Sequence, residues 1–289
     1  MSPIYVSTAC LSGQEPLQVR LSRFFASGFQ NVELGASVSV TPESLDSLPS
    51  FGGNFLVHNY FPPPEDSFVL NLASRDKTIR KRSGDLIRQA LTLCAEIGAP
   101  FYSLHGGFIT DPTGFGSHSF VFPLPESANE RNLAMTRFIT EIQIILEYAR
   151  SLGVDILVEN NVCDLSLVDR LLFVEAQDFL TLKRDLSTTH LGILLDTGHL
   201  NVSAHTLGFD RMEFVAQIAP YVRALHVHDN NGLADEHRQI QPDSWVLDVL
   251  RCPEFAGLPI VLESKFSVFP ELLKHVRWLE QELNNKPLA

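Results

Sequence analysis

Residues 77–105 read KTIRKRSGDLIRQALTLCAEIGAPFYSLH, and the alternation inside this stretch sets the architecture. Ile79, Leu86, Ile87, Ala90, Leu91, Leu93 and Cys94 recur at helical spacing on one apolar face, which predicts a helix over Lys77–Ile97. Gly98-Ala99-Pro100 stops it, a glycine followed shortly by a proline. Phe101–His105 then reads as a buried strand ending on a histidine. Working outward, strand-like runs recur at Ile4–Thr8, Asn31–Leu34, Asn54–His58, Asp155–Glu159, His190–Asp196, Val222–His226 and Pro259–Glu263. Helical patterns lie at Ser127–Leu152, closed by Gly153, and at Phe269–Leu283, with shorter ones near 167–186, 208–219 and 243–251. Strands alternating with helices, and no Pro/Gly/Ser-rich linker between them, predict an α/β chain folded over residues 1–289 as a single (β/α)8 TIM barrel. A doubly wound open sheet is the competing arrangement on strand count.

Composition narrows the class. The 289 residues are 45% hydrophobic and 19% charged, enough apolar side chain for a core without staples and too much for a disordered chain. No uninterrupted apolar stretch of ~18 residues occurs, and Met1–Tyr5 lacks a basic and then an apolar segment, so a cytoplasmic chain with no membrane span is expected. Cys10, Cys94, Cys163 and Cys252 lie far apart with no C-x-x-C pair, against a zinc ribbon, a redox motif or a disulfide framework. A net charge of -12 works against non-specific coating of nucleic acid.

The strand ends carry the chemistry. The third strand ends at His58, the fourth at His105 and the fifth at Glu159. The sixth ends at Asp196 with His199 just beyond, the seventh at His226 and the eighth at Glu263. In a parallel barrel these ends open onto one face, the face that hosts active sites. Imidazole with carboxylate suits Zn2+, Mn2+ or Co2+, whereas Mg2+ prefers carboxylates and water, and Cu(I) or an iron–sulfur cluster prefers thiolate. A site of one to three divalent ions is therefore expected. His228, on the same side of its strand as His226, and Lys265, two residues past Glu263, are candidate substrate contacts. Gly106-Gly107 is read as allowing close backbone approach at the rim. His118, His190, His205 and His275 carry no argument.

Val158-Glu159-Asn160, Leu195-Asp196-Thr197-Gly198-His199, Leu225-His226-Val227-His228-Asp229 and Val261-Leu262-Glu263 resemble the motifs of the xylose-isomerase-like TIM-barrel superfamily, in order across most of the chain. That superfamily holds sugar isomerases and epimerases and the endonuclease IV family, AP endonuclease family 2. In the epimerase branch, the resemblance implies one metal on Glu159, Asp196, His226 and Glu263, with Glu159 and Glu263 moving the substrate proton. In the endonuclease IV branch it implies three zinc ions on nine residues: His58, His105, Glu159, Asp196, His199, His226, Asp235, His237 and Glu263. His58 with Asp66-Ser67-Phe68-Val69-Leu70-Asn71, Leu104-His105-Gly106-Gly107 and Asp235-Glu236-His237 carry that second likeness.

The sequence also departs from the nuclease pattern. Arg238-Gln239-Ile240-Gln241-Pro242-Asp243 stands where a glycine-rich run is expected, Phe68 replaces a tyrosine, and Gly35–Val40 has no Arg or Lys to enter a groove. The basic run Arg75–Arg82 reads either as a solvated helix face or as a phosphate contact. The expectation is a metal-dependent isomerase or epimerase of a small carbohydrate, working through an enediolate, with a zinc phosphodiesterase acting on apurinic/apyrimidinic DNA as the alternative. A homodimer is compatible with the sequence.

Overall fold

Gly98 and Gly153 end the two longest helices in the left-handed conformation, at φ 71° and 69°, and each turn feeds the chain straight into the next strand. The computed structural model describes residues 2–115, 120–127 and 129–284. Its strands in chain order are β1 (Ile4–Ser7), β2 (Asn31–Leu34), β3 (Asn54–His58), β4 (Phe101–His105), β5 (Gly114–Phe115), β6 (Phe120–Val121), β7 (Asp155–Glu159), β8 (Leu191–Asp196), β9 (Val222–Val227) and β10 (Ile260–Leu262). The helices are α1 (Leu17–Ala26), α2 (Pro42–Asp46), α3 (Lys77–Ile97), α4 (Glu130–Leu152), α5 (Ala176–Asp185), α6 (Thr197–Leu207), α7 (Arg211–Ile218), α8 (Val246–Leu250) and α9 (Phe269–Asn284).

Parallel pairing closes the order β1-β10-β9-β8-β7-β4-β3-β2 into a (β/α)8 barrel, and the open-sheet alternative falls away. The short β5 and β6 pair antiparallel, apart from the barrel. Alternation along each strand sorts its side chains. Val57, Tyr102, Leu104, Ile156, Val158, Ile193, Leu195 and Leu225 join the helices in the outer core. Tyr5, Leu56, Phe101, Leu157, Leu194, Ala224 and Val261 form a separate apolar layer inside the barrel. Two residues further along each of those strands stand Ser7, His58, Ser103, Glu159, Asp196, His226 and Glu263. One apolar layer thus seals the barrel, and a wholly polar layer lies directly above it.

Several boundaries differ from expectation. Helices α1, α2 and α6 are additional. Asp196 both ends β8 and caps α6, its Oδ1 accepting the His199 amide at 2.7 Å. The helix expected over 167–186 starts only at Ala176, because Asp169 and Phe173 hold left-handed backbone, φ 63° and 59°, that no helix can include. The helix expected from Ser127 starts at Glu130; residue 128 lies outside the described residues. So do His118 and the rest of 116–119.

Much of the basic run is ion-paired within the fold. Arg75 pairs with Glu126 and Glu130, Arg80 with Glu141, and Lys81 with Asp85, while the Arg82 guanidinium sits 4.3 Å over the Phe68 ring. These pairs are those of a solvated helix face. The four cysteines are free thiols. Among the described residues no helix is long and apolar enough to cross a membrane.

Candidate metal centre

Glu159, fully buried at the end of β7, stands at the middle of the polar layer. Its Oε2 lies 3.6 Å from His58 Nε2 and 3.4 Å from His105 Nε2. Its Oε1 lies 3.4 Å from His226 Nδ1 and 3.3 Å from His199 Nδ1. The same His226 nitrogen is 3.4 Å from Glu263 Oε2 and 3.9 Å from Asp196 Oδ2. A third grouping lies beside these, where Asp235 Oδ2 is 3.6 Å from His199 Nε2 and 3.1 Å from His237 Nε2. The fold therefore brings together all nine residues singled out as ligand positions. Lys265 is the exception among the site candidates: it is exposed, its Nζ donates to the Ala9 carbonyl at 2.8 Å, and it lines a cleft of about 520 Å³ beside His237.

The donor chemistry fits divalent cations. Two donors about 2.0–2.1 Å from one zinc ion at a tetrahedral angle lie roughly 3.3 Å apart, which is the spacing seen here. Both Glu159 oxygens, Asp196 Oδ2 and His226 Nδ1 are buried with no hydrogen-bond partner among the described residues. Leaving even one such group unpaired costs about 1–3 kcal/mol, so four in one cluster make a site that could hold cations. His58, His105 and Glu159 form one group able to hold an ion, and Glu159, Asp196 and His226 form another.

The other ring nitrogens are already engaged. His58 Nδ1 is hydrogen-bonded to Ser103 Oγ at 3.0 Å, and His199 Nδ1 donates to the Asn160 carbonyl at 2.9 Å. His226 Nε2 donates to Glu33 Oε2 at 2.8 Å. Each bond orients its ring and leaves the opposite nitrogen facing the cluster. Asn160 also exchanges two hydrogen bonds with the Asp196 backbone, which locks the end of β7 to the end of β8.

Electrostatics point the same way. Burial alone would lower His226 and His199, but Glu33, Glu263 and Glu159 around the first, and Asp196 and Asp235 around the second, push both well above the ordinary imidazole range. Burial pushes Glu33 up to about 7 against the pull of His226. Burial dominates at His58 and brings it down to about 3, which favours the neutral imidazole. The buried carboxylates create a demand for positive charge that protons or metal cations can meet.

Strain gathers here as well. His237 adopts φ 49° and Asn59, next to His58, φ 47°. A non-glycine residue in that region costs of order 1–3 kcal/mol. For His237 the conformation is held by the Asp229–Arg238 bridge and by the Lys265 amide, which donates to its carbonyl at 2.8 Å.

Glu33 is not singled out by the sequence, and Asn71 enters there only as the last residue of the Asp66–Asn71 segment, with no role of its own. Glu33 lies between Val32 and Leu34 in a four-residue strand, and that alternation was the available signal for an inward-facing carboxylate. Asn71 is fully buried; its Oδ1 accepts the Ala73 and Phe108 amides and its Nδ2 donates to Asp111, tying the loop after β3 to the loop after β4. No sequence period marks it.

Fold and centre together define a closed parallel barrel with a buried histidine–carboxylate cluster able to hold divalent ions in its mouth. Residues 43–281 match the family model described as xylose isomerase-like TIM barrel, and the chain belongs to that family. It is 24% identical over 286 residues to apurinic-apyrimidinic endonuclease 1 of Saccharomyces cerevisiae, a match covering 91% of this chain and 71% of the yeast protein. It is 27% identical over 172 residues to Uncharacterized protein MJ1311 of Methanocaldococcus jannaschii, covering 59% of this chain and about half, 52%, of that protein. A crystal structure of a D-tagatose 3-epimerase-like protein superimposes with a TM-score of 0.75 at 22% identity, over 98% of this chain and 97% of that one, a likeness of fold.

Proposed function

We propose that this protein is a divalent-metal-dependent hydrolase of phosphodiesters, acting at a three-ion centre of the endonuclease IV kind. The observation that carries this reading is the double commitment of Glu159. Its Oε2 faces His58 and His105 at 3.4–3.6 Å, while its Oε1 faces His226 at 3.4 Å and His199 Nδ1 at 3.3 Å. An isomerase that uses Glu159 as a base needs one of those oxygens turned toward substrate carbon. Here His58 and His105 take that oxygen. His58, His105 and Glu159 would hold one ion; Glu159, Asp196, His226 and Glu263 a second; His199, Asp235 and His237 a third. When bound, such ions supply Lewis-acid charge for phosphoryl oxygens and acidify a water nucleophile.

The chain's own residues do the rest. The apolar layer from Tyr5 to Val261 closes the barrel beneath the site and keeps bulk water out. Ser7 Oγ donates to Glu263 Oε1 at 3.4 Å and leaves Oε2 facing His226. Glu33 holds the His226 ring by its Nε2 proton. We expect Glu33→Gln to lower metal affinity by about 10–100-fold while the fold remains. Chelator competition measures it, and unchanged affinity removes Glu33 from this positioning role. The match to the yeast apurinic-apyrimidinic endonuclease along 91% of the chain supports the hydrolase reading.

A second reading, a metal-dependent isomerase or epimerase of a small carbohydrate, is favoured by the rim. Arg75, Arg80 and Lys81 are ion-paired and Arg82 lies over Phe68, so most of the positive charge of this run is engaged within the fold and not free for a long polyanion. In that reading one ion suffices, Glu159 and Glu263 move a proton, and His58 and His105 meet sugar hydroxyls. The two readings separate on metal content by elemental mass spectrometry, joined to two assays. One follows cleavage of an oligonucleotide duplex carrying an abasic site and of bis(p-nitrophenyl) phosphate. The other follows solvent deuterium entering ketoses. About three ions per chain with phosphodiester cleavage is the expected result. About one ion with deuterium exchange beside the ketose carbonyl transfers the function to the isomerase reading.

A further inference from the structure

His228 does not have the surroundings of a substrate contact. The side chain is 0% exposed. Neither ring nitrogen completes a hydrogen bond among the described residues, and Asp235 Oδ1 is likewise without a partner. His228 Nε2 lies 3.2 Å from Asp196 Oδ1 and 3.6 Å from Asp235 Oδ1. Its ring stacks on His237 with centroids 4.1 Å apart and 23° between planes. The strand is held in place through Thr197, whose Oγ1 donates to the His228 carbonyl at 3.1 Å and accepts its amide at 3.4 Å.

Room for this ring exists because residue 198 is glycine. A Cβ there would stand 1.8 Å from His228 Cε1, 2.3 Å from Nδ1 and 2.4 Å from Nε2. A histidine kept merely as core filler would have its nitrogens satisfied, since an unpaired buried polar group costs about 1–3 kcal/mol and a phenyl ring would fill the same space without that penalty. His228, Asp235 and His237 offer donor atoms that converge closely enough for one ion, as do Asp196, His199 and His228.

We propose that His228, through Nε2, is an additional protein donor to the ion that His199, Asp235 and His237 would hold, and that Gly198 is the residue that admits it. This rests on the three-ion reading above. With His228 that ion would have four protein donors, enough for a tetrahedral zinc shell. It would also pin the loop after β9, including the strained backbone of His237.

The test uses the full-length protein loaded with Co2+, comparing wild type with His228→Phe, which preserves the ring volume against Gly198, and with His228→Asn, which preserves polarity. Three readouts are taken: ions per chain by elemental analysis, affinity of the most weakly held ion by chelator competition, and the visible cobalt absorption per ion added. We expect both variants to lose at least tenfold in affinity for a single ion, with weakening of the four-coordinate cobalt band belonging to that ion and retention of the other two. Equal stoichiometry, affinity and cobalt spectrum in wild type and either folded variant overturns the proposal. A wild-type protein holding only one ion instead overturns the three-ion reading itself, so the two failures are distinguishable.

Discussion

Glu159→Gln is expected to strip the centre of two ions at once, taking bound metal from about three ions per chain to about one and phosphodiester hydrolysis down by roughly a thousandfold or more. The reason is geometric. Oε2 of this residue faces His58 and His105, and Oε1 faces His226. Glutamine keeps one oxygen and replaces the other with an amide nitrogen, whose lone pair is delocalised into the carbonyl and does not ligate metal. The remaining oxygen carries no full negative charge. The fold should survive, because glutamine matches glutamate in shape and its introduction removes a charge that is fully buried in the ion-free protein. Glu263→Gln is the contrast, since Glu263 meets one group alone, at His226 Nδ1, and should cost one ion. Elemental analysis beside a denaturant titration of the chelated proteins measures both quantities. Full metal content and normal turnover in Glu159→Gln would take the residue out of the centre.

The second large effect is expected at Gly106. A Cβ at this position would lie 2.4 Å from Phe173 Cδ2 and 2.8 Å from its Cβ and Cγ. Phe173 has nowhere to retreat: it is fully buried, its ring packs 4.8 Å from Phe138 and 5.2 Å from Phe179, and its backbone is left-handed at φ 59°. Its carbonyl also accepts the Asn161 amide at 3.0 Å. In Gly106→Ala the chain just after His105 must therefore move instead. We expect a loss of about 3 kcal/mol in the stability of the metal-free protein, the upper part of the range for overpacking. The ion on His105 should be held more weakly as well. Gly107→Ala, whose Cβ would meet its neighbours only at 3.0–3.2 Å, should be milder. A Gly106→Ala protein as stable as wild type would mean that close approach to Phe173 is not what requires glycine here.

Much of this architecture is legible one residue at a time. The helix over 77–97, its glycine stop and the strand that follows stand where periodicity puts them, because both periods belong to the local backbone. The shorter helices are less legible. The left-handed turns at Asp169 and Phe173, which cut short the helix before Ala176, have no glycine to announce them. Helix α6 is masked because its N-cap, Asp196, is also a residue of the centre.

What the sequence by itself determines is that histidines and carboxylates end successive strands, and that parallel closure delivers those ends to one face. It determines which residues can meet. Alternation also commits each strand to one inward row, so the polar layer above the apolar seal is written locally. Only the tertiary structure decides which atoms meet. Glu33 and His226 are 193 residues apart in sequence, and their hydrogen bond exists because the barrel closes. The division of the Glu159 oxygens between two histidine groups, the burial of His228 against Gly198 and the neutralisation of Arg75 and Arg80 by Glu130 and Glu141 arise in the same way. Each depends on distances between side chains carried by different strands and helices, and such distances have no period in the sequence from which to be read.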